Sequence, residues 1–336
     1  MPFEILRNDI TAMRVDAIVN AASHLPRVGA GVDSAIHEKA GPSLLQARKE
    51  IGLIKPGTAA ITPAFHLDAK YVIHTATPAW VDGTQGELAL LRSAYDACLA
   101  LAVENRCDSI AFPLLASGNH GFPKEQALQV AIAAFSEFLM KQDLRIYLVV
   151  FGKDSLKLSE QLVKNVTCYI DENYVDAYEK KVYGCIRENR RSRPAPPSDS
   201  VIREFCAPAV CSKSVSLNEF VKEKDAGFVE TLLALIKKSG QKNATVYKKA
   251  NMSKQYFSKL IHDPDATPSK QAAISLALAL ELDLEATRDL IGRAGYALTN
   301  SSTFDLIIRY FIEHERFNII EINIALYEFD QSLLGS

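Results

Sequence analysis

The sequence lacks the marks of several protein classes. Its six cysteines, Cys98, Cys107, Cys168, Cys185, Cys206 and Cys211, are scattered, with no Cys-x-x-Cys pair and no histidine ladder beside them. In a chain of 336 residues this reads as reduced thiols, which excludes a disulfide framework and a zinc site. The longest apolar run, Ala272 to Leu280, is too short to span a bilayer and contains Ser275. The opening residues, Met1 to Arg7, have no basic segment followed by an apolar one, as a secretory signal requires. No membrane partner and a cytoplasmic location are therefore expected. Nor is there an excess of one charge. The 38 basic and 40 acidic residues leave a net charge of -2, which excludes a globally basic nucleic-acid coat but not a local basic patch.

What is present is ordinary globular material, 48% hydrophobic and 23% charged. At roughly 150 residues per domain, the length predicts two units. Residues 1–170 alternate β-branched runs with amphipathic stretches. Val15–Asn20, Thr58–Thr62, Tyr71–Thr75, Ser109–Pro113 and Arg145–Phe151 are the strand candidates. Asp33–Ala40 and Glu87–Asn105 read as helices, another begins near Pro123, and one more runs to about Ile170. This alternation predicts a largely parallel sheet covered on both faces. Residues 171–225, with their Arg187–Arg193 charge run and Pro194, Pro196 and Pro197, read as a linker. Residues 226–336 carry no strand signal of comparable length and read as seven helices.

Two loops carry the chemistry. Asn20–Asp33 and Ala116–Pro123 each follow a strand, contain glycine and lead into a helix. Ligands of α/β sheets sit beyond the carboxyl ends of the strands, where helix N-termini offer unpaired N–H groups to anions. Two such loops on one sheet edge would clasp a nucleoside diphosphate.

The ordered motifs resemble a macrodomain of the MacroD type. They are Asp9-Ile10-Thr11, Val15-Asp16-Ala17-Ile18-Val19-Asn20-Ala21-Ala22, Gly31-Val32-Asp33-Ser34-Ala35-Ile36-His37, Lys70 to Thr75, Ser109 to Pro113 and Gly118 to Pro123. The resemblance covers residues 1–170 and implies a three-layer α/β/α fold with a mixed central sheet, followed by a separate all-α domain. It also implies ADP-ribose, or an ADP-ribosylated protein, as ligand, and hydrolysis of mono-ADP-ribose esters. By the same carry-over, Asp9 and Ile10 sit at adenine, and Asn20 is the first asparagine of the family's Asn-Ala-Ala-Asn run. Gly29, Ala30, Gly31 and Val32 surround the distal ribose and its phosphate. Ser117, Gly118, Asn119, His120 and Gly121 hold the diphosphate, and Phe151 packs near adenine. Asp33 matches the acid that positions or deprotonates the attacking water.

The hydrolysis needs an aimed water and held phosphates, with no metal and no cofactor; the sequence offers no ligand cluster for a metal. Three departures bear on turnover: Ser23 replaces the second asparagine, and Val28 and Ala30 replace glycines. Bland readings stand beside these roles. Asp33 is also a good helix cap, Asp9 a turn residue, His37 and His74 packed histidines, and Phe151 a core residue.

Ala244 to Leu260 has the outline of a helix-turn-helix around Asn251-Met252, and Phe228 to Tyr296 resembles a repressor-type helical fold. Residues 226–264 hold seven lysines against Glu230 and Asp263, and residues 226–287 contain no arginine for bidentate guanine reading. DNA or a protein is the candidate partner. The sequence thus leaves three functions open: an ADP-ribose ester hydrolase (or O-acetyl-ADP-ribose deacetylase) with a helical targeting module, a non-catalytic ADP-ribose reader, and a nucleotide-responsive DNA-binding regulator.

Overall fold

Six strands form where short β-branched runs occur: β1 (Phe3–Arg7), β2 (Val15–Ala21), β3 (Ala59–Pro63), β4 (Ala69–Thr75), β5 (Ser109–Pro113) and β6 (Arg145–Val150). The computed structural model describes residues 2–118, 120–150, 163, 165–170, 226–264 and 266–335. The expected linker at 171–225 lies outside them. Between the strands run α1 (Val32–Ala40), α2 (Pro42–Ile51), α3 (Glu87–Glu104) and α4 (Lys124–Lys141).

The sheet order is β1-β6-β5-β2-β4-β3. Every pair is parallel except β3 with β4, so the sheet is mixed with an antiparallel edge. Alternation along each strand sends side chains to opposite faces. Ile18, Val72, Ala111 and Val149 pack with Ile36 of α1 and Leu44 of α2. Ala17, Val19, Ile73, Ile110 and Phe112 face the other way, onto Leu91, Tyr95, Leu128 and Phe135 of α3 and α4. The result is three layers. Asp16 staples the amino end of the sheet: it accepts from the N–H groups of Asp108 (2.8 Å) and Ser109 (3.1 Å) and meets Lys70 Nζ at 2.7 Å.

Residues 226–335 are helical: α5 (Phe228–Ser239), α6 (Asn243–Lys249), α7 (Lys254–His262), α8 (Lys270–Ala279), α9 (Leu284–Arg293), α10 (Thr303–Glu313) and α11 (Ile319–Glu328). Their starts follow from capping chemistry. Ser253, Ser269, Asp283, Ser302 and Asn318 each accept a first-turn N–H through the side chain. Phe228, Val229, Leu232 and Ile236 form the buried face of α5, and Gly240 ends it at φ 67°.

The helical block packs against the β1 edge of the sheet and α4. Asn251, at φ 53° in the turn between α6 and α7, is buried with Met252. Its side chain accepts from Phe3 N–H at 2.9 Å and donates to Phe3 carbonyl at 3.0 Å. An edge strand leaves such groups open, and here a side chain closes them. Lys248 Nζ adds contacts to Met140 carbonyl (3.3 Å) and Asp143 (3.4 Å). One apolar core runs through both parts, from Phe3 and Phe135 to Leu278 and Ile320. No helix among the described residues is long and apolar enough to cross a membrane.

Candidate functional site

The loops after β2, β4 and β5 meet at the carboxyl end of the sheet around a cleft of about 770 Å³. Ser23 to His24 and Arg27 to Val32 form one wall, Ala116 to Gly118 and His120 another, and Thr77 to Ala79 with Pro56 close the third side. Volume and placement suit a nucleotide-sized ligand. Gly31 caps α1 at φ 68°, ψ -126°, a backbone state that a side chain disfavours, so the amides of Gly31 and Val32 stand at the cleft with no side-chain cap. Ala116 also takes positive φ, 64°, without being glycine. Strain of this kind persists where surroundings fix it. Here Tyr95 Oη accepts Leu115 N–H at 3.0 Å and Ser117 Oγ donates to Leu114 carbonyl at 2.7 Å.

Behind the first loop lies a buried polar layer. Asp33 is 2% exposed; its Oδ2 accepts Gly29 N–H and its Oδ1 accepts Asn20 Nδ2, both at 2.5 Å. Asn20 Nδ2 also faces His74 Nδ1 at 3.2 Å, and His74 Nε2 faces Thr62 Oγ1 at 3.0 Å. Burial, with Arg48 and His37 nearby, pushes His74 down to about 3, so the ring is neutral. Nδ1 must then accept from Asn20, which puts the proton on Nε2, toward Thr62. His37 Nε2 stands 3.5 Å from Asp33, and burial lowers its pKa although Asp33 opposes the shift. Asn20 Oδ1 is buried with no partner among the described residues. A buried unpaired acceptor is costly and needs an explanation. Arg48, 1% exposed, ties the loop from below by donating to the carbonyls of Gly52 and Ser23.

Beyond the third wall, Glu87 gathers the loop that leads into α3. Its Oε1 accepts from the N–H groups of Val81, Asp82 and Gly83, and its Oε2 from Gln85. Backbone N–H groups, its own first, hold the carboxyl down at about 2. His120 links this wall to the second loop: its Nδ1 lies 2.8 Å from Thr77 Oγ1 and 3.1 Å from Pro78 carbonyl. Its own carbonyl accepts Trp80 N–H at 2.8 Å.

Of the residues expected at the site, Gly29, Ala30, Gly31, Val32, Ser117, Gly118 and His120 line the cleft together. Asn20 and Asp33 lie directly behind it. Asp33 does not cap α1, since Gly31 holds that position. Asp9 and Ile10 are off the cleft walls; Asp9 caps a 3₁₀ turn by accepting Thr11 N–H at 2.9 Å, and Ile10 is buried. Gly121 follows at φ 70°. Asn119 and Phe151 lie outside the described residues. Sequence reasoning missed Pro56, Thr77–Ala79, Arg48 and Glu87. Only Thr77 carried a signal, since it stands two residues beyond the end of β4.

A family model described as Macro domain matches residues 19–131. A macro domain-containing protein of Methanosarcina mazei is 43% identical over 164 residues, 48% of this chain and 88% of that protein. The O-acetyl-ADP-ribose deacetylase of Salmonella typhimurium is 43% identical over 166 residues, 48% of this chain and 93% of that protein. Among solved structures, the Oceanobacillus iheyensis macrodomain with ADP is 32% identical with a TM-score of 0.45, covering 49% of this chain and 91% of that one.

Proposed function

We infer the function from one premise: this chain belongs to the macro domain family. We propose that the cleft binds ADP-ribose and that the protein hydrolyses mono-ADP-ribose esters of acidic side chains. The observation that carries this reading is the convergence of two glycine-bearing loops, each preceding a helix, on one cleft at the carboxyl end of the sheet. The amides of the Gly29–Val32 loop and of Ser117 and Gly118 suit a diphosphate held from both sides. The unpartnered Oδ1 of Asn20 suits a ribose hydroxyl. Asp9 and Phe151 are proposed for adenine on the family resemblance alone, as is Asn119 for the diphosphate.

In the ester, the carboxylate is a fair leaving group, so catalysis reduces to aiming water and holding the sugar and phosphates. Fixed amides stabilise developing charge, at about 10²–10³-fold for one well-placed donor. Asp33 is proposed as the essential acid: it sets the Gly29 amide and the Asn20 side chain, the two groups proposed to hold the distal ribose. Relatives named O-acetyl-ADP-ribose deacetylase favour ester hydrolysis as the reaction class, and deacetylation would use the same cleft. The test is incubation with a protein mono-ADP-ribosylated on glutamate. Wild type is expected to release ADP-ribose and Asp33→Ala to lose at least about 100-fold of the rate. No release by wild type, or an unaffected variant, removes the catalytic reading.

A non-catalytic reader is the second reading, favoured by the full engagement of both Asp33 oxygens. Calorimetry with tight ADP-ribose binding and no turnover selects it. The helical block is proposed as a targeting module with a helix-turn-helix outline in α6 and α7. Exposed Lys237, Lys238, Lys242, Lys254 and Lys259 suit phosphates of DNA or an acidic protein. A salt-insensitive response to duplex DNA would argue for the protein partner. We place the protein in the cytoplasm, consistent with the free thiols of Cys98, Cys107 and Cys168.

A further inference from the structure

We propose that His120 is the general base of the cleft, taking the proton from the attacking water through Nε2 while Asp33 serves as a positioning residue. The proposal rests on the hydrolase reading above and concerns which group moves the proton. The imidazole is held on one edge. Nδ1 faces the Pro78 carbonyl at 3.1 Å and Thr77 Oγ1 at 2.8 Å. We assign the hydrogen to Nδ1 because the Pro78 carbonyl can only accept; Thr77 Oγ1, which would donate to Nδ1 in the other tautomer, then serves as a second acceptor. A neutral ring so oriented has its free lone pair on Nε2, the edge turned away from Thr77 and Pro78. No residue among those described is bonded to Nε2. The backbone is held as firmly, through the bond from Trp80 N–H and the packing of Trp80 on Phe122 at 4.9 Å.

The alternatives are poorer bases. Asp33 is buried, with one oxygen on Gly29 N–H and the other on Asn20 Nδ2. Taking a proton there would break a bond that shapes the loop. Arg27 lines the cleft, but a guanidinium offers only donors. His24 also lines it, but no described bond fixes its ring; the bonds at His24 are those of its carbonyl with Ile54 N–H and Arg48.

The step balances as follows. The water oxygen bonds to the anomeric carbon as its proton passes to His120 Nε2. The bond from that carbon to the ester oxygen breaks, and its electron pair leaves on the carboxylate. The imidazolium then returns the proton to solvent, leaving free carboxylate and ADP-ribose.

The experiment uses the full chain and a protein mono-ADP-ribosylated on glutamate, with kcat and KM measured separately. His120→Asn places an amide nitrogen where Nδ1 stands, keeping the Pro78 anchor while removing the base. It is expected to lower kcat by about 100-fold and leave KM within about threefold, with an unchanged thermal melt. Added imidazole is expected to restore part of the kcat of His120→Ala, a response that a merely structural role would not give. Retention of kcat by His120→Asn, loss in KM alone, or no rescue of His120→Ala overturns the assignment while leaving the hydrolase reading intact. ADP-ribose binding without turnover by wild type overturns both.

Discussion

The side chain of Asn251 and the backbone of Phe3, 248 residues apart, form a reciprocal pair: Phe3 N–H donates to Oδ1 at 2.9 Å and Nδ2 donates to Phe3 carbonyl at 3.0 Å. Both residues are buried. The pair closes the edge of the sheet with the turn between α6 and α7. That turn is thereby committed to packing, and the exposed lysines of α7 are left as the outward-facing part of the helix pair.

Asn251→Ala leaves a buried N–H and a buried carbonyl without partners. An unsatisfied buried group costs about 1–3 kcal/mol, so a loss of about 2–4 kcal/mol in unfolding free energy is expected. Urea titration at constant m-value measures it. A loss below about 0.5 kcal/mol would mean that water replaces the amide and that the edge is not closed as described.

His74 makes stability pH-dependent. Its folded pKa, about 3, lies below the unfolded value of 6.5. Below pH 6.5 the unfolded chain takes up a proton that the native ring refuses, so stability falls as pH drops from about 6.5 toward about 3. The slope from this residue is about 1.4 kcal/mol per pH unit. The difference in urea midpoint between wild type and His74→Gln is expected to shrink across that window, to the variant's advantage, and to be constant above it.

Glu87 acts in a lower window. Its folded pKa of about 2 against 4.5 means that its contribution is complete above pH 4.5 and lost as pH falls toward 2. Glu87→Gln keeps one acceptor but removes the charge that gathers four loop amides. Faster hydrogen exchange at Val81, Asp82, Gly83 and Gln85 is the expected result at pH 6, with the rest of the sheet unchanged.

Gly29 and Asp33 are expected to act as one unit. A Cβ on Gly29 would lie 2.9 Å from Asp33 Oδ2, so Gly29→Ala displaces the carboxylate it bonds. Gly29→Ala and Asp33→Ala should each weaken ADP-ribose binding by about tenfold, and together by little more than either. Full additivity of the binding free energies would show the two to be independent.

The sheet was legible wherever a strand is a short β-branched run: Val15–Asn20 and Ser109–Pro113 emerge as β2 and β5 within one residue. The seven C-terminal helices were legible because Ser253, Ser269 and Asp283 mark their starts. β1 was not read, since its pairing partner β6 is some 140 residues away in sequence and its other edge is closed by a side chain. The two glycine loops of the cleft were legible, but its third wall was not. Thr77 to Ala79 has no glycine, and its link to the second loop through His120 joins residues 43 apart in sequence. Arg48 carried no signal in the sequence; its burial follows from carbonyls that turn inward at Ser23 and Gly52. The docking of the helical block had no signature, because Asn251 reads as an ordinary turn residue until Phe3 is placed beside it.

Titration of ADP-ribose into the 336-residue chain by calorimetry tests the central claim most directly, because hydrolase and reader alike require that ligand in the cleft. The predicted result is saturable binding of one ADP-ribose per chain, weakened at least about tenfold by Gly29→Ala. An absence of saturable binding, or binding indifferent to Gly29→Ala, would contradict it.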